Sequence, residues 1–172
     1  SLFTLLDGTR VEGARLGAMS NAGFECVAMA DAIGTMSLPR FGERSSERIR
    51  TVFERCRITS VVDMHNPLDL TPSTAFQDEP LARLPDAVKV LGSDPGIDSL
   101  LFHIGSQNAR AEPISRALFQ VIEQSDKPVA VVWPNPPKEV GELLVSRRIF
   151  GFPDPISAIT ATAANATPIH QR

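Results

Sequence analysis

The chain of 172 residues contains no tyrosine, one tryptophan, two cysteines and three histidines, and each shortage excludes something. Cys26 and Cys56 lie in separate helical patterns with no CxxC and no Cys/His cluster, so neither a disulfide framework nor a zinc centre is indicated. Both read as buried or half-buried thiols. No apolar run approaches the roughly 20 residues needed to cross a bilayer, and the N-terminus lacks a signal-peptide pattern. The cytoplasm is therefore the expected compartment. A net charge of −3, a pI near 5.6, the lack of a basic block and the lack of tyrosine for base stacking argue against a nucleic-acid surface. No GxGxxG and no GxxxxGK[ST] occurs, so the chain has no nucleotide-cradling loop of its own.

What is present is ordinary globular composition, with 42% hydrophobic and 22% charged residues, enough for one compact domain with a real core. The expected organisation is a lead-in over residues 1–12, a folded domain over 13–160 and a tail or linker over 161–172, which is rich in Ala, Thr and Asn. The start at Ser1, followed by the apolar fragment Leu2 to Leu6, suggests a piece of a longer polypeptide.

Strand and helix patterns alternate along the folded part. The apolar run from Arg15 ends in Ser20-Asn21-Ala22-Gly23 and passes directly into a helical pattern that stops near Gly34. Met36 to Leu38 reads as a short strand, and Ser45-Ser46-Glu47 as the start of a helix through Cys56, with Ser as N-cap and Arg48, Arg50, Arg55 and Arg57 on its solvated face. Val61 to Met64 reads as a strand edge leading into the Pro-punctuated loop His65 to Leu70. Helices are expected over Leu81 to Leu91, Glu112 to Ser125 and Lys138 to Arg148. Ser99 to Ile104 and Pro128 to Trp133 are nearly continuous apolar strands, the pattern of a parallel sheet covered on both faces. A short strand over Ile149 to Phe152 and a turn or helix over Asp154 to Thr160 complete the series.

Such repetition is the signature of a doubly wound α/β domain, and a flavodoxin-like parallel sheet of about five strands, ordered 2-1-3-4-5, fits the length. Ligands of such sheets bind beyond the carboxyl ends of the strands, where the strand order reverses. Three loops would converge there: Ser20 to Gly23, Asn66 to Asp69, and Gly105 to Asn108, the last carrying Ser106 and Gln107. The first aims the unpaired N–H groups of a helix, and the positive end of its dipole, above the sheet edge. Ser20, Asn21, Ala22 and Gly23 are therefore candidate phosphate-binding residues, with Asn66, Asp69, Ser106 and Gln107 as the neighbouring loops. Each has a structural alternative. A glycine turn before a helix serves close packing in any such domain, and Asn66 and Asp69 can satisfy local backbone. His103, inside an apolar strand, reads as a hydrogen-bonded core histidine, His65 as a weak candidate contact at the cleft, and Trp133 as packing for a strand end. Ser106 has no GxSxG elbow and takes no nucleophilic role. No metal ligands or catalytic residues are assigned.

SNAG entering a helix, NPLDLTP further on, an apolar strand ending in a polar loop, and then KPVAVVW together resemble the C-terminal flavodoxin-like domain of NDP-forming acyl-CoA synthetases. That superfamily contains ADP-forming acetyl-CoA synthetase and succinyl-CoA synthetase, and the resemblance spans about Gly13 to Ile159. It implies an acid–thiol ligase working through a phosphohistidine held against two helix N-termini, with Asn21, Ala22 and Gly23 supplying one of them and Asn66 and Asp69 the adjacent loop. It also implies that the domain binds no cofactor alone. CoA and ATP or ADP with Mg would be handled by CoA-binding and ATP-grasp domains or subunits of an oligomeric enzyme, since no SHTG-like phosphohistidine loop occurs here. The isolated chain is then not expected to turn over substrate. One departure stands out: where relatives continue with a second glycine and a small residue, this chain has Phe24 and Glu25. A first-turn carboxylate suits the helix dipole but repels a phosphate if it turns inward. The alternative expectation is accordingly a related interaction or regulatory module without the catalytic role.

Overall fold

A computed structural model describes residues 11–56, 62–72, 77–105, 110–147, 149 and 151–167. Its centre is a five-stranded, wholly parallel sheet built from β2 (Leu16–Ser20), β3 (Leu68–Asp69), β4 (Ser99–His103), β5 (Val129–Val132) and β6 (Gly151–Phe152), ordered β3-β2-β4-β5-β6. Counted within the sheet, that is the flavodoxin-like order 2-1-3-4-5. A separate parallel ribbon joins β1 (Val11–Glu12) to β7 (Ala166–Thr167).

Alternation of side chains along the strands divides the core into two layers. Met19, Leu100, Phe102 and Val131 face one layer, closed by α2 (Glu43–Arg55), α3 (Asp78–Gly92), α4 (Ala111–Gln124) and α5 (Lys138–Ser146). Leu16, Ala18, Leu101, Ala130 and Val132 face the other, closed by α1 (Gly23–Asp31) and α6 (Pro155–Asn165). Helix α2 shows why a strongly charged segment still folds here. Its arginines and glutamates face water, while Ile49 and Phe53, one turn apart, are fully buried and each contribute about 1.5–3 kcal/mol.

Several local expectations require correction. Met36 to Leu38 does not form a strand: Ser37 makes one parallel bridge to Arg15, exchanging backbone hydrogen bonds with Ala14 and Leu16. The edge strand lies at Leu68–Asp69 rather than before His65, because Leu68 rather than Val62 comes into register with Met19. Helix α2 begins at Glu43, not at a serine cap. Its N-cap is Gly42, whose N–H donates to Asp94 Oδ2 at 2.8 Å, and Ser45 is buried inside the first turn. The segment from residue 161, expected as tail, continues α6 to Asn165, and Ala166–Thr167 then pairs with β1. Asp154 caps that helix through Ser157 N–H, and Ala158, Ile159 and Thr162 bury its inner side.

At the amino ends of the strands a polar network fixes the sheet. Asp98 accepts from Arg15 N, Nε and Nη2 at 2.9, 2.9 and 2.6 Å. Burial alone would raise the Asp98 carboxyl, but these bonds from Arg15 hold it below the usual carboxylate range. Asp94 is also buried, yet N–H bonds from Gly96 and Gly42 keep its carboxyl low. Lys127 Nζ donates to the carbonyls of Asp94 and Ile97.

Candidate functional site

The β2–α1 junction sits where strand order reverses, since β2 has β3 on one side and β4 on the other. Helix α1 starts at Gly23 with Ala22 as N-cap, a residue that offers no side-chain cap to the first N–H groups. The backbone turns Glu25 N and Cys26 N back onto Ala22 O, at 3.1 and 3.3 Å, and Ala22 N donates to Ser20 Oγ at 3.2 Å. The N–H groups of Gly23 and Phe24 find no acceptor among the described residues. A further donor is unspent at Asn21, just before the helix. Asn21 is only 8% exposed; its Oδ1 accepts from Gly105 N at 2.9 Å while its buried Nδ2 has no partner. Two uncommitted backbone N–H donors thus stand at the positive end of a helix, and a buried amide without a partner lies two residues before it in the chain.

Two carboxylates border the same place. Glu25 turns inward and is 6% exposed: its Oε2 accepts from Ser20 Oγ at 2.5 Å and lies 2.6 Å from His103 Nδ1. The ring N–H is misaligned for a formed hydrogen bond at that contact, which remains a close approach of base to carboxylate. Asp69 Oδ1 accepts from Thr71 N at 2.8 Å, and its Oδ2 faces Gly23. A Cβ on Gly23 would stand 2.7 Å from that oxygen, and one on Gly105 would stand 2.9 Å from Glu25 Oε1. The two glycines therefore make room for the two carboxylates. Their field reaches Cys26, whose thiol is pushed up to about 12 by burial first and by Asp69 and Glu25 in addition. A small apolar cavity lies beneath, lined in part by Met19, Asn21, Phe102, His103 and Leu118.

The expected site residues separate accordingly. Ser20, Asn21, Ala22 and Gly23 lie together at the start of α1, with Asp69 against them. Asn66 does not offer its amide to this space: Oδ1 accepts from Ala18 N at 2.9 Å, and Nδ2 donates to the carbonyls of Leu16 and Pro39 at 2.7 and 2.9 Å. It ties its loop to β2. Ser106 and Gln107 lie outside the described residues. His65 is exposed and pairs at the surface with Asp63, 3.3 Å away. His103 and Trp133 are buried in the core as expected, but His103 Nδ1 makes none of the hydrogen bonding expected of it. His103 comes next to Glu25 only through the β2–β4 pairing, which sets Ser20 opposite His103 and has no local signal in the sequence. Among the described residues no group of three or more His, Cys, Asp and Glu could hold a metal ion, and no helix is long and apolar enough to cross a membrane.

No protein-family model matches the chain, and no curated protein sequence does. Solved structures do match. A protein of known crystal structure from Pyrococcus horikoshii OT3 superposes with a TM-score of 0.71 at 23% identity, over 94% of this chain and 37% of that one. The apo form of a dinucleotide-forming acetyl-coenzyme A synthetase 1 from Candidatus Korarchaeum cryptofilum gives 0.71 at 22% identity, over 95% of this chain and 36% of that one. The same synthetase in complex with phosphate and ADP gives 0.68 at 21% identity. The flavodoxin-like fold is therefore shared with one part of these chains, and this chain spans little more than a third of their length.

Proposed function

We propose that this chain is one domain of an NDP-forming acyl-CoA synthetase and that the N-terminus of α1 stabilises a phosphoryl group carried on a histidine of another domain. The observation that carries the reading is the set of uncommitted donors, namely Gly23 N–H, Phe24 N–H and the buried Nδ2 of Asn21. A transferring phosphoryl group spreads charge over its oxygens, and fixed N–H groups stabilise that charge without reorganising. The fold likeness to acetyl-CoA synthetase chains and the paired SNAG and NPLD stretches support the same assignment. Glu25 opposes it in charge, but its carboxylate is tied down to Ser20 and faces His103 rather than the free N–H groups. Asp69 is the nearer competitor and would favour an imidazole N–H beside the phosphoryl group. CoA, ATP or ADP with Mg, and the phosphorylated loop are assigned to CoA-binding and ATP-grasp partners in a cytoplasmic oligomer, so the isolated chain makes no acyl-CoA.

Exposed Phe24 and Val27, at 76% and 61%, lie one turn apart on the outer side of α1 next to this end. They favour a second reading, in which the chain is an interaction or regulatory module that docks without handling phosphate.

Asn21→Asp separates the two readings. It preserves the oxygen that accepts from Gly105 and replaces the orphan donor by a carboxylate oxygen. Titration of the chain with a phosphohistidine-containing peptide, followed by ³¹P NMR, should show saturable binding that weakens by at least about tenfold in the variant, as expected when a charge-assisted donor becomes a like charge. No binding by the native chain, or equal binding by the variant, refutes phosphoryl recognition and leaves the docking module.

A further inference from the structure

Helix α2 gathers most of the arginines that have no acidic partner among the described residues. Ten arginines are described, and Arg15, Arg83, Arg110, Arg116 and Arg147 each hold an aspartate or glutamate. The other five, Arg40, Arg44, Arg48, Arg50 and Arg55, fall within one short segment, are exposed, and make no hydrogen bond or ion pair with described residues. At about 100° per residue, Arg44, Arg48 and Arg55 fall within about 40° of one another and form a ridge about 16 Å long, with exposed Thr51 between. Exposed Arg40 precedes it at the same four-residue spacing.

The ridge works against the helix that bears it. Arg44 stands in the first turn, where the dipole disfavours positive charge, and Arg44 and Arg48 are a like-charge pair one turn apart. Glu43, Glu47 and Glu54 occupy the flank with Arg50 and leave the ridge unneutralised. The inner face buries Ile49 and Phe53 and packs against α3, so none of these arginines is needed to hold α2 in place.

We propose that this ridge is a docking surface for an acidic helical face of a protein partner. Guanidinium groups bind carboxylates through two parallel hydrogen bonds, and a run without lysine suits that geometry. Carboxylates at helical spacing on a partner match arginines at helical spacing here. A nucleic acid is the disfavoured occupant, because the ridge presents no aromatic side chain on which a base could stack. The surface belongs to the layer opposite α1 and is independent of the phosphoryl reading.

The test uses the whole chain and two probes, a helical peptide with glutamates along one face and an oligothymidylate of equal charge. Anisotropy titrations at low salt should show peptide binding that fades toward about 0.2 M salt, where the Debye length falls below 10 Å. R44E/R48E/R55E should weaken peptide binding by at least about tenfold, while R83E/R116E, which alters paired arginines, should leave it within about twofold. R44Q/R48Q/R55Q, compared by circular dichroism, provides the same loss without charge reversal should the first variant misfold. Failure of the native chain to bind the peptide, equal loss in both variant sets, or tighter binding of the oligonucleotide overturns the proposal.

Discussion

Gly23→Ala probes the steric basis of the site. In a helix, alanine is favoured over glycine by about 1 kcal/mol, so on propensity alone the substitution would stabilise the chain. The structure reverses that sign. The new Cβ would stand 2.7 Å from Asp69 Oδ2, well inside the 3.4 Å at which ordinary contact begins, so the carboxylate must move. Its other oxygen accepts from Thr71 N at 2.8 Å, at a residue with φ of 59°, so the movement strains or breaks that bond. Overpacking costs about 1–3 kcal/mol and a weakened bond to a charged acceptor about 1.5 kcal/mol more, against the propensity gain. The net expectation is a loss of about 1.5–3.5 kcal/mol. In an Asp69→Ala background the obstacle is gone and the same substitution should be neutral or stabilising, giving a coupling energy of about 2 kcal/mol between the sites. Urea unfolding followed by the fluorescence of Trp133, which is 1% exposed, measures all four corners of the cycle. If Gly23→Ala stabilises the otherwise native chain, or the coupling is under about 0.5 kcal/mol, the close approach of Asp69 does not constrain Gly23.

Acid sensitivity follows from the carboxyls of Asp94, Asp98 and Asp154, which lie below their ordinary values in the folded chain. A depressed folded value contributes stability above the unfolded value of about 4, and that stability is lost as pH falls through the folded value, so urea midpoints should drop below about pH 4. Asp98→Asn should flatten part of that slope, and an unchanged slope would refute its role. Cys26, raised to about 12, and Cys56, also raised by burial, should react with iodoacetamide at pH 8 far more slowly in the native chain than in urea, as mass spectrometry would record; equal rates would contradict their burial. Phe53→Ala should cost about 3–5 kcal/mol in urea unfolding, because Phe53 is fully buried between α2 and the core; a cost below about 1 kcal/mol would show that α2 is not anchored there.

The apolar runs at Leu16–Ser20, Ser99–His103 and Val129–Val132, separated by amphipathic helices, determined the doubly wound α/β class, because continuous apolar runs and helical periodicity are local properties. The junction Ser20 to Gly23 was legible for the same reason. The register of β3, the capping of Gly42 by Asp94 and the continuation of α6 past Thr160 were not, since each depends on a partner remote in sequence. Asn66 illustrates the difference: its side chain could cap a turn or meet a ligand, and only the approach of the Leu16 to Ala18 backbone and Pro39 commits it to structure. Glu25 was visible as a first-turn carboxylate of undecided direction. Tertiary structure turned it inward, where pairing of β2 with β4 places His103 beside it and Gly105 leaves the space that its carboxylate fills.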